Sequence, residues 1–256
     1  MGKIIRIILF AGICFSLMAQ TDTSGVASPE DSFNLKVDNG NYSITPMKSN
    51  KSLNDKYNNG RASISKYGKL MAFTRSRYKI KDMKKILECQ IFFRSLVQGK
   101  WSAPEPFTLN SSTYSVGHPC LSSDGKTMYF DSDMPGGFGK SDIYRISKNK
   151  SGTWGKPENL GSKINSEGDE LYPFYKEDGQ ILFFSSNGRG GLGGLDIFIY
   201  APNLSGFGKV YNAGFPLNTR FDDFALNADP LLKKSYFISN RSKGKGKGDL
   251  YSVVFH

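Results

Sequence analysis

The stretches WSAPEPFTLNSSTYSVGHP (101–119), WGKPENLGSKINSEGDELYP (154–173) and FGKVYNAGFPLNTRFDDFAL (207–226) are three versions of one segment, each begun by an aromatic residue 53 positions after the last. Two further markers keep nearly the same step. Leu53-Asn54, Leu109-Asn110, Ile164-Asn165 and Leu217-Asn218 recur every 53 to 56 residues, and Asp142-Ile143-Tyr144, Asp196-Ile197-Phe198 and Asp249-Leu250-Tyr251 every 53 or 54, with Gln90-Ile91-Phe92 as a degenerate first copy. Three markers with one period identify a tandem repeat. Its anchor positions are Trp101, Trp154 and Phe207, Asn110, Asn165 and Asn218, and Asp142, Asp196 and Asp249.

Within a copy, short apolar runs alternate with turns rich in Gly, Asp, Ser and Pro, and no amphipathic helical pattern intervenes. In the second copy the pattern predicts strands at 118–122 and 127–132 around an Asp124-Gly125 hairpin turn. The glycine-rich loop Gly136–Gly139 then leads to strands at 142–147 and 154–160. Four antiparallel strands per period of about 50 residues describe a propeller blade. The expected fold is therefore all-β, a β-propeller over 41–256 with repeats near 54–109, 110–164, 165–217 and 218–256. The last copy lacks a fourth strand, and Tyr42–Met47 precedes Leu53-Asn54 as the Trp101 and Trp154 strands precede their own pairs. This N-terminal strand is expected to complete the last blade and close the ring, which would remove two open sheet edges. Phe73, Phe130 and Phe184, at matching strand positions, are expected to pack between blades.

Ahead of the repeats, Lys3 and Arg6 followed by the apolar stretch Ile7–Met18 and the small residue Ala19 have the form of a cleaved signal peptide over 1–19, with a polar leader at 20–40. The apolar run is shorter than the roughly 20 residues of a membrane-spanning helix, so no transmembrane segment is expected after cleavage. The formal charge of +11 falls to +9 without Lys3 and Arg6. Because the lysines are scattered through turns (Lys48, Lys51, Lys69, Lys126, Lys233) rather than lined along a helix, the charge suits an anionic surface, polymer or acidic protein face rather than nucleic acid. Cys89 and Cys120 remain after cleavage and are open to two readings, a disulfide or two buried thiols.

The segments HPCLSSDGKTMYFDSDMPGGFGKSDIY (118–144), WGKPENLGSKINSEGDELYPF (154–174) and LFFSSNGRGGLGGLDIF (182–198) resemble the TolB-type, WD-like propeller repeat. The likeness extends over 41–256, and the form it most resembles is the propeller of Bacteroidetes cell-envelope proteins that commonly precedes an OmpA-like domain. It implies a non-catalytic periplasmic module at the outer membrane, in some members associated with secretion or gliding machinery, and an envelope or outer-membrane protein as partner. The sequence departs from that pattern in carrying no OmpA-like segment and in replacing the Asp-Gly turn of the fourth repeat by Leu232-Lys233. Attachment to peptidoglycan therefore does not carry over.

Motifs for chemistry are sparse. Gly139-Lys140-Ser141 lacks the leading glycine of a phosphate loop, since Met134 stands there. The glycines before Asp142, Asp196 and Asp249 approximate a calcium nonapeptide, but Leu192 interrupts the best copy, so they are expected to make turns that the aspartate caps. Asp131, Asp133, Glu167, Asp169 and Glu170 read as unpaired turn carboxylates, short of the facing pair that a glycosidase needs. His118 and His256 are too few for a histidine metal cage, and His118 is expected to serve as a structural hydrogen-bonding residue. No catalytic, cofactor-binding or metal residue is assigned. The sequence thus points to a binding scaffold, with a carbohydrate-active or lactonase-like hydrolase, its reactive groups at the ring centre, as the alternative.

Overall fold

The computed structural model describes residues 58–81, 84–177, 180–202, 209–228, 235–241 and 248–255, together with the strands Ile8–Leu9, Ile13–Cys14, Leu17–Gln20, Asn34–Asp38 and Asn41–Thr45. Four antiparallel sheets follow one another as the blades of a propeller. Their first strands are Asn58–Ile64, Val116–Leu121, Glu170–Lys176 and Asp223–Ala228, and their second strands Leu70–Lys81, Thr127–Ser132, Ile181–Ser186 and Ser235–Ser239. The third strands are Lys84–Val97, Asp142–Ser147, Asp196–Tyr200 and Asp249–Phe255. Glu105–Pro106, Glu158–Asn159 and Val210–Asn212 are the outer strands of blades one to three, and Leu17–Gln20 is that of blade four.

Second strands read as unbroken apolar runs because both of their faces are buried. Phe130 joins a core between blades one and two with Ala72, Ile91 and Phe107, while its neighbour Tyr129 points the other way into a core with Leu182 and Phe184 of blade three. Phe183 in turn enters the core shared with Phe237 and Leu226 of blade four. Side chains alternate across a strand, so each sheet glues itself to two neighbours. Phe130, Phe184 and Phe237 are all essentially fully buried.

The repeat markers acquire physical roles. The aromatic residue of the Asp-Ile-Tyr signature stacks on the second-strand phenylalanine opposite it in every blade: Phe73 with Phe92, Phe130 with Tyr144, Phe184 with Phe198 and Phe237 with Tyr251, at centroid separations of 6.1, 5.7, 5.9 and 5.7 Å. Such cross-strand pairs add stabilisation beyond their buried area. Trp154 lies against Phe93 of the preceding blade at 5.6 Å, Trp101 pairs with Leu96, and Phe207 lies outside the described residues.

Each marker asparagine grips one buried peptide of the third strand with both ends of its amide. Asn165 Oδ1 accepts the Ile143 N–H at 2.8 Å while its Nδ2 donates to the Ile143 carbonyl at 3.1 Å. Asn218 does the same to Ile197, and Asn110 to Ile91. The loop that carries the chain to the next blade is thereby pinned to the blade it leaves, and the otherwise unpaired backbone groups are satisfied.

Phe73 is buried like its counterparts but, unlike them, belongs to none of the three inter-blade clusters; the guanidinium groups of Arg75 and Arg94 lie 5.7 and 5.9 Å from its ring. The closing strand also differs from expectation. Leu17–Gln20, not Tyr42–Met47, pairs with the third strand of blade four, from Ser252↔Gln20 to Phe255↔Leu17. Asn41–Thr45 pairs instead with Asn34–Asp38. The Asn39-Gly40 dipeptide between the paired Asp38 and Asn41 is a strong hairpin signal, and it commits this segment to a local partner.

Asn165→Ala should strand two buried backbone groups and destabilise the fold by ~2–4 kcal/mol, lowering the melting temperature by roughly 5–15 °C in a protein of this size. Asn110→Ala, at a half-buried site that water can reach, should give a smaller shift; circular dichroism melts of both variants check the order.

Candidate functional site

The first strands line the centre of the ring, and each is interrupted by a β-bulge: between Asn59 and Ala62, Gly117 and Cys120, Leu171 and Phe174, and Phe224 and Asn227. A bulge re-aims a side chain. Counted from the hairpins, Arg61, His118, Tyr172 and Ala225 occupy one equivalent position, and the last three take φ values of 48°, 56° and 57°. This left-handed backbone is unfavourable for residues with a side chain. An inter-blade hydrogen bond holds each one there: the N–H of His118 donates to Thr74 Oγ1 at 2.8 Å, that of Tyr172 to Asp131 Oδ2 at 3.1 Å and that of Ala225 to Ser185 Oγ at 3.2 Å. The acceptors again occupy one equivalent position, on the second strand of the preceding blade. In blade four that position is Ile238, which offers no acceptor.

The bulge side chains fill the centre. His118 Nδ1 lies 2.8 Å from Asp131 Oδ2, and the His118 ring packs on Tyr172 at a centroid distance of 3.9 Å. Tyr172 in turn meets Phe224 at 5.3 Å. The Arg61 guanidinium crosses from blade one to donate to the carbonyls of Tyr172 at 3.2 Å and Leu226 at 3.4 Å. Burial lowers the Arg61 pKa, opposed by Cys120 and the carboxylate of Asp131. Burial, followed by the neighbouring Asp131, raises that of the Tyr172 hydroxyl.

Asp131 and His118 have the geometry of an orienting carboxylate and a base. The two thiols bordering the cluster supply no nucleophile at neutral pH. Burial, reinforced by Asp131, Asp133 and Glu88, pushes the Cys89 thiol up to about 12, and burial raises Cys120, whose Sγ accepts the Tyr175 N–H at 3.3 Å. Both are free thiols. No group of three or more His, Cys, Asp or Glu side chains suited to a metal ion occurs among the described residues.

Two carboxylates predicted to sit in turns are elsewhere. Asp131 lies in a second strand and Glu170 begins a first strand, where it is fully buried and accepts from the Ser166 and Ser186 hydroxyls. The partnership of Asp131 with His118 escaped the sequence because 13 residues and a hairpin separate them. Arg61 escaped it because the first blade matches the repeat least well.

The marker aspartates begin the third strands, beside the C-terminal ends of the second strands: Asp142 pairs with Ser132, next to Asp131. Asp142 accepts the N–H groups of Phe138 and Gly139 and the Asn159 amide, the last at 2.7 Å. Asp196 accepts the Leu192 N–H at 2.6 Å and the Asn212 amide at 2.8 Å. Close approach explains most of the glycines here. A Cβ at Gly137 would stand 2.4 Å from the Asp142 carboxylate and one at Gly139 only 2.2 Å from the Ser166 carbonyl of the next blade, whereas positive φ is confined to Gly136 and Gly190 in these two loops. Phe138 and Leu192, at the same position of successive loops, are half exposed, and Phe215 is 81 % exposed nearby in sequence to the following connection.

No protein-family model matches the chain, and no curated protein matches it. Among solved structures, TolB from Acinetobacter baumannii is similar at 17 % identity and a TM-score of 0.47, over 77 % of this chain and 43 % of that one. A putative TolB from Agrobacterium tumefaciens matches at 21 % identity and a TM-score of 0.46, over 72 % of this chain and 55 % of that one. An α-L-arabinofuranosidase from Lactobacillus brevis matches at 14 % and 0.42, over 73 % and 69 %. The chain spans about half the length of the two TolB structures. Similarity at this level carries no argument about activity.

Asp131→Ala should cost about 3 kcal/mol by leaving the His118 ring and the Tyr172 N–H without their acceptor, read as a lower urea midpoint at unchanged slope. Because raised thiol pKa values keep Cys89 and Cys120 protonated below their own range, iodoacetamide at pH 8 should leave both unmodified in the folded protein and label both in urea; intact-mass spectrometry distinguishes the cases.

Proposed function

We propose that the chain is a non-catalytic binding module of the cell envelope, exported through its N-terminal signal and docking a protein or anionic surface through its exposed loops. The observation that carries this reading is the state of the ring centre. An enzyme of propeller fold needs reactive groups open to substrate there, and in this protein Arg61, Asp131, His118 and Tyr172 are engaged with one another and with backbone carbonyls across the ring. The repeated, half-exposed Phe138 and Leu192 give the glycine-loop end apolar points of contact. Among the described residues no helix is long and apolar enough to cross a membrane.

Signal cleavage after Ala19 would withdraw most of the strand Leu17–Gln20 and expose the backbone edge of Ser252–Phe255. An open edge of that kind accepts an added strand from a partner. The second reading, a hydrolase, draws on the His118–Asp131 pair alone.

Tagged protein isolated from crosslinked envelopes should begin at Gln20 and carry one or two stoichiometric envelope proteins, whose purified forms should rebind it. Turnover of a glycan or lactone panel that disappears in Asp131→Asn would sink the proposal and establish the hydrolase.

A further inference from the structure

In blades one and two the turns from first to second and from third to fourth strand lie at one end of the ring, opposite the glycine-rich loop of blade two. Lysines dispersed in sequence converge there. Between blades one and two a cleft of about 660 Å³ is lined by Lys69 from the first hairpin of blade one, Lys126 from that of blade two, and Lys148 and Lys150 from the second hairpin of blade two, with Ser65 and Ser95 among the remaining lining residues. We propose that this cleft binds a sugar carrying two phosphate groups. The proposal deepens the reading of the chain as a binding module and rests on it.

Charge is the first argument. None of the four ammonium groups forms an ion pair among the described residues. The one acid in the lining, Asp124, is occupied by its own turn: its Oδ1 accepts the Ser122 hydroxyl at 2.6 Å and the Lys126 N–H at 2.9 Å. Those hydrogen bonds, the hydroxyl first, hold its carboxyl below the usual carboxylate range, so it stays ionised. Four cations against one engaged anion leave an excess of three positive charges. Two phosphate monoesters, each about −1.5 to −2 at neutral pH, match that excess.

The donor set is the second argument. The lining cations are all lysines, compact point charges of the kind that bind phosphate. The serine hydroxyls suit sugar hydroxyls, and the volume falls within the roughly 300–1,000 Å³ of small-molecule sites.

The third argument is rigidity. The floor is tied across the blade boundary by the Lys66 N–H to the Ser123 carbonyl at 2.8 Å, and within blade two by the Lys148 N–H to the Lys126 carbonyl at 2.7 Å. Gly125 packs against Leu70 and Ser65, where a Cβ would already be in contact at 3.4 and 3.5 Å. The Lys148 ammonium sits 4.9 Å from the ring of Trp154, itself packed on the core between these blades. The turns that carry the lysines are thus held in place before a ligand arrives, so the ordering left to binding is that of the side chains.

The test is calorimetric titration of the full chain with glucose 1,6-bisphosphate at low ionic strength. One-to-one binding is expected, weakened at least tenfold in the double variant Lys126→Gln/Lys148→Gln and unchanged in Lys140→Gln at the opposite end, with thermal melts confirming that both variants fold. No binding, equal weakening by both variants, equal affinity for inorganic sulfate, or tighter binding of an octaglutamate peptide overturns the proposal. Vesicles bearing a bisphosphorylated diglucosamine lipid separate the sources: capture that the soluble bisphosphate displaces identifies a lipid headgroup, and absence of capture alongside bisphosphate binding identifies a free sugar. Equal capture by phosphatidylglycerol vesicles reduces the site to bare charge and overturns it. A chain that rebinds its protein partner but not the bisphosphate fails this proposal alone, while turnover of a substrate panel fails the module reading itself.

Discussion

A four-stranded sheet has two faces and no thickness of its own, so a blade can bury its apolar side chains only against another blade. The rest of the structure depends on this constraint. It dictates why Tyr129 and Phe130, or Phe183 and Phe184, are adjacent in sequence yet belong to different cores. It also explains why, among the described residues, three separate inter-blade cores take the place of one central core. Stability in such an array is a sum over neighbouring pairs, and the fully buried Phe130, Phe184 and Phe237 are the principal contributors at each boundary.

Packing alone would leave the blades free to slide, because apolar contact has no direction. Polar groups fix the geometry. The asparagines grip buried peptides of the third strands, and the bulge N–H groups of His118, Tyr172 and Ala225 reach back to the preceding blade. The side chains at those bulges then converge on the axis, which is how a small propeller fills its own channel with Arg61, His118 and Tyr172.

Much of the fold was legible in the sequence because each marker is a local packing unit repeated at one spacing. The Asp-Ile-Tyr signature predicted a strand, and its aromatic residue turned out to be half of a cross-strand stack. The asparagine was legible as a position but not as a role, since an amide grip on a peptide about 20 residues away leaves no periodic trace. The ring centre was illegible for a related reason: Arg61, His118 and Tyr172 are equivalent in position but unlike in chemistry, so no repeat pattern links them. The identity of the closing strand was not legible because an open edge accepts any strand, whereas the Asn39-Gly40 dipeptide favours a local hairpin partner for Asn41–Thr45. The basic cleft was hidden for the opposite reason, its lysines being spread over 82 positions from Lys69 to Lys150. Only the shared end of the hairpins brings them together.

At three of the blade boundaries a second-strand acceptor takes the bulge N–H of the next blade, and at the fourth the equivalent position is Ile238, whose side chain offers no acceptor. Arg61, tethered at long range to Leu226, reaches across that gap. In mechanical terms Arg61 is a latch at the joint that lacks the repeated bolt, registering the first blade against the last through its guanidinium.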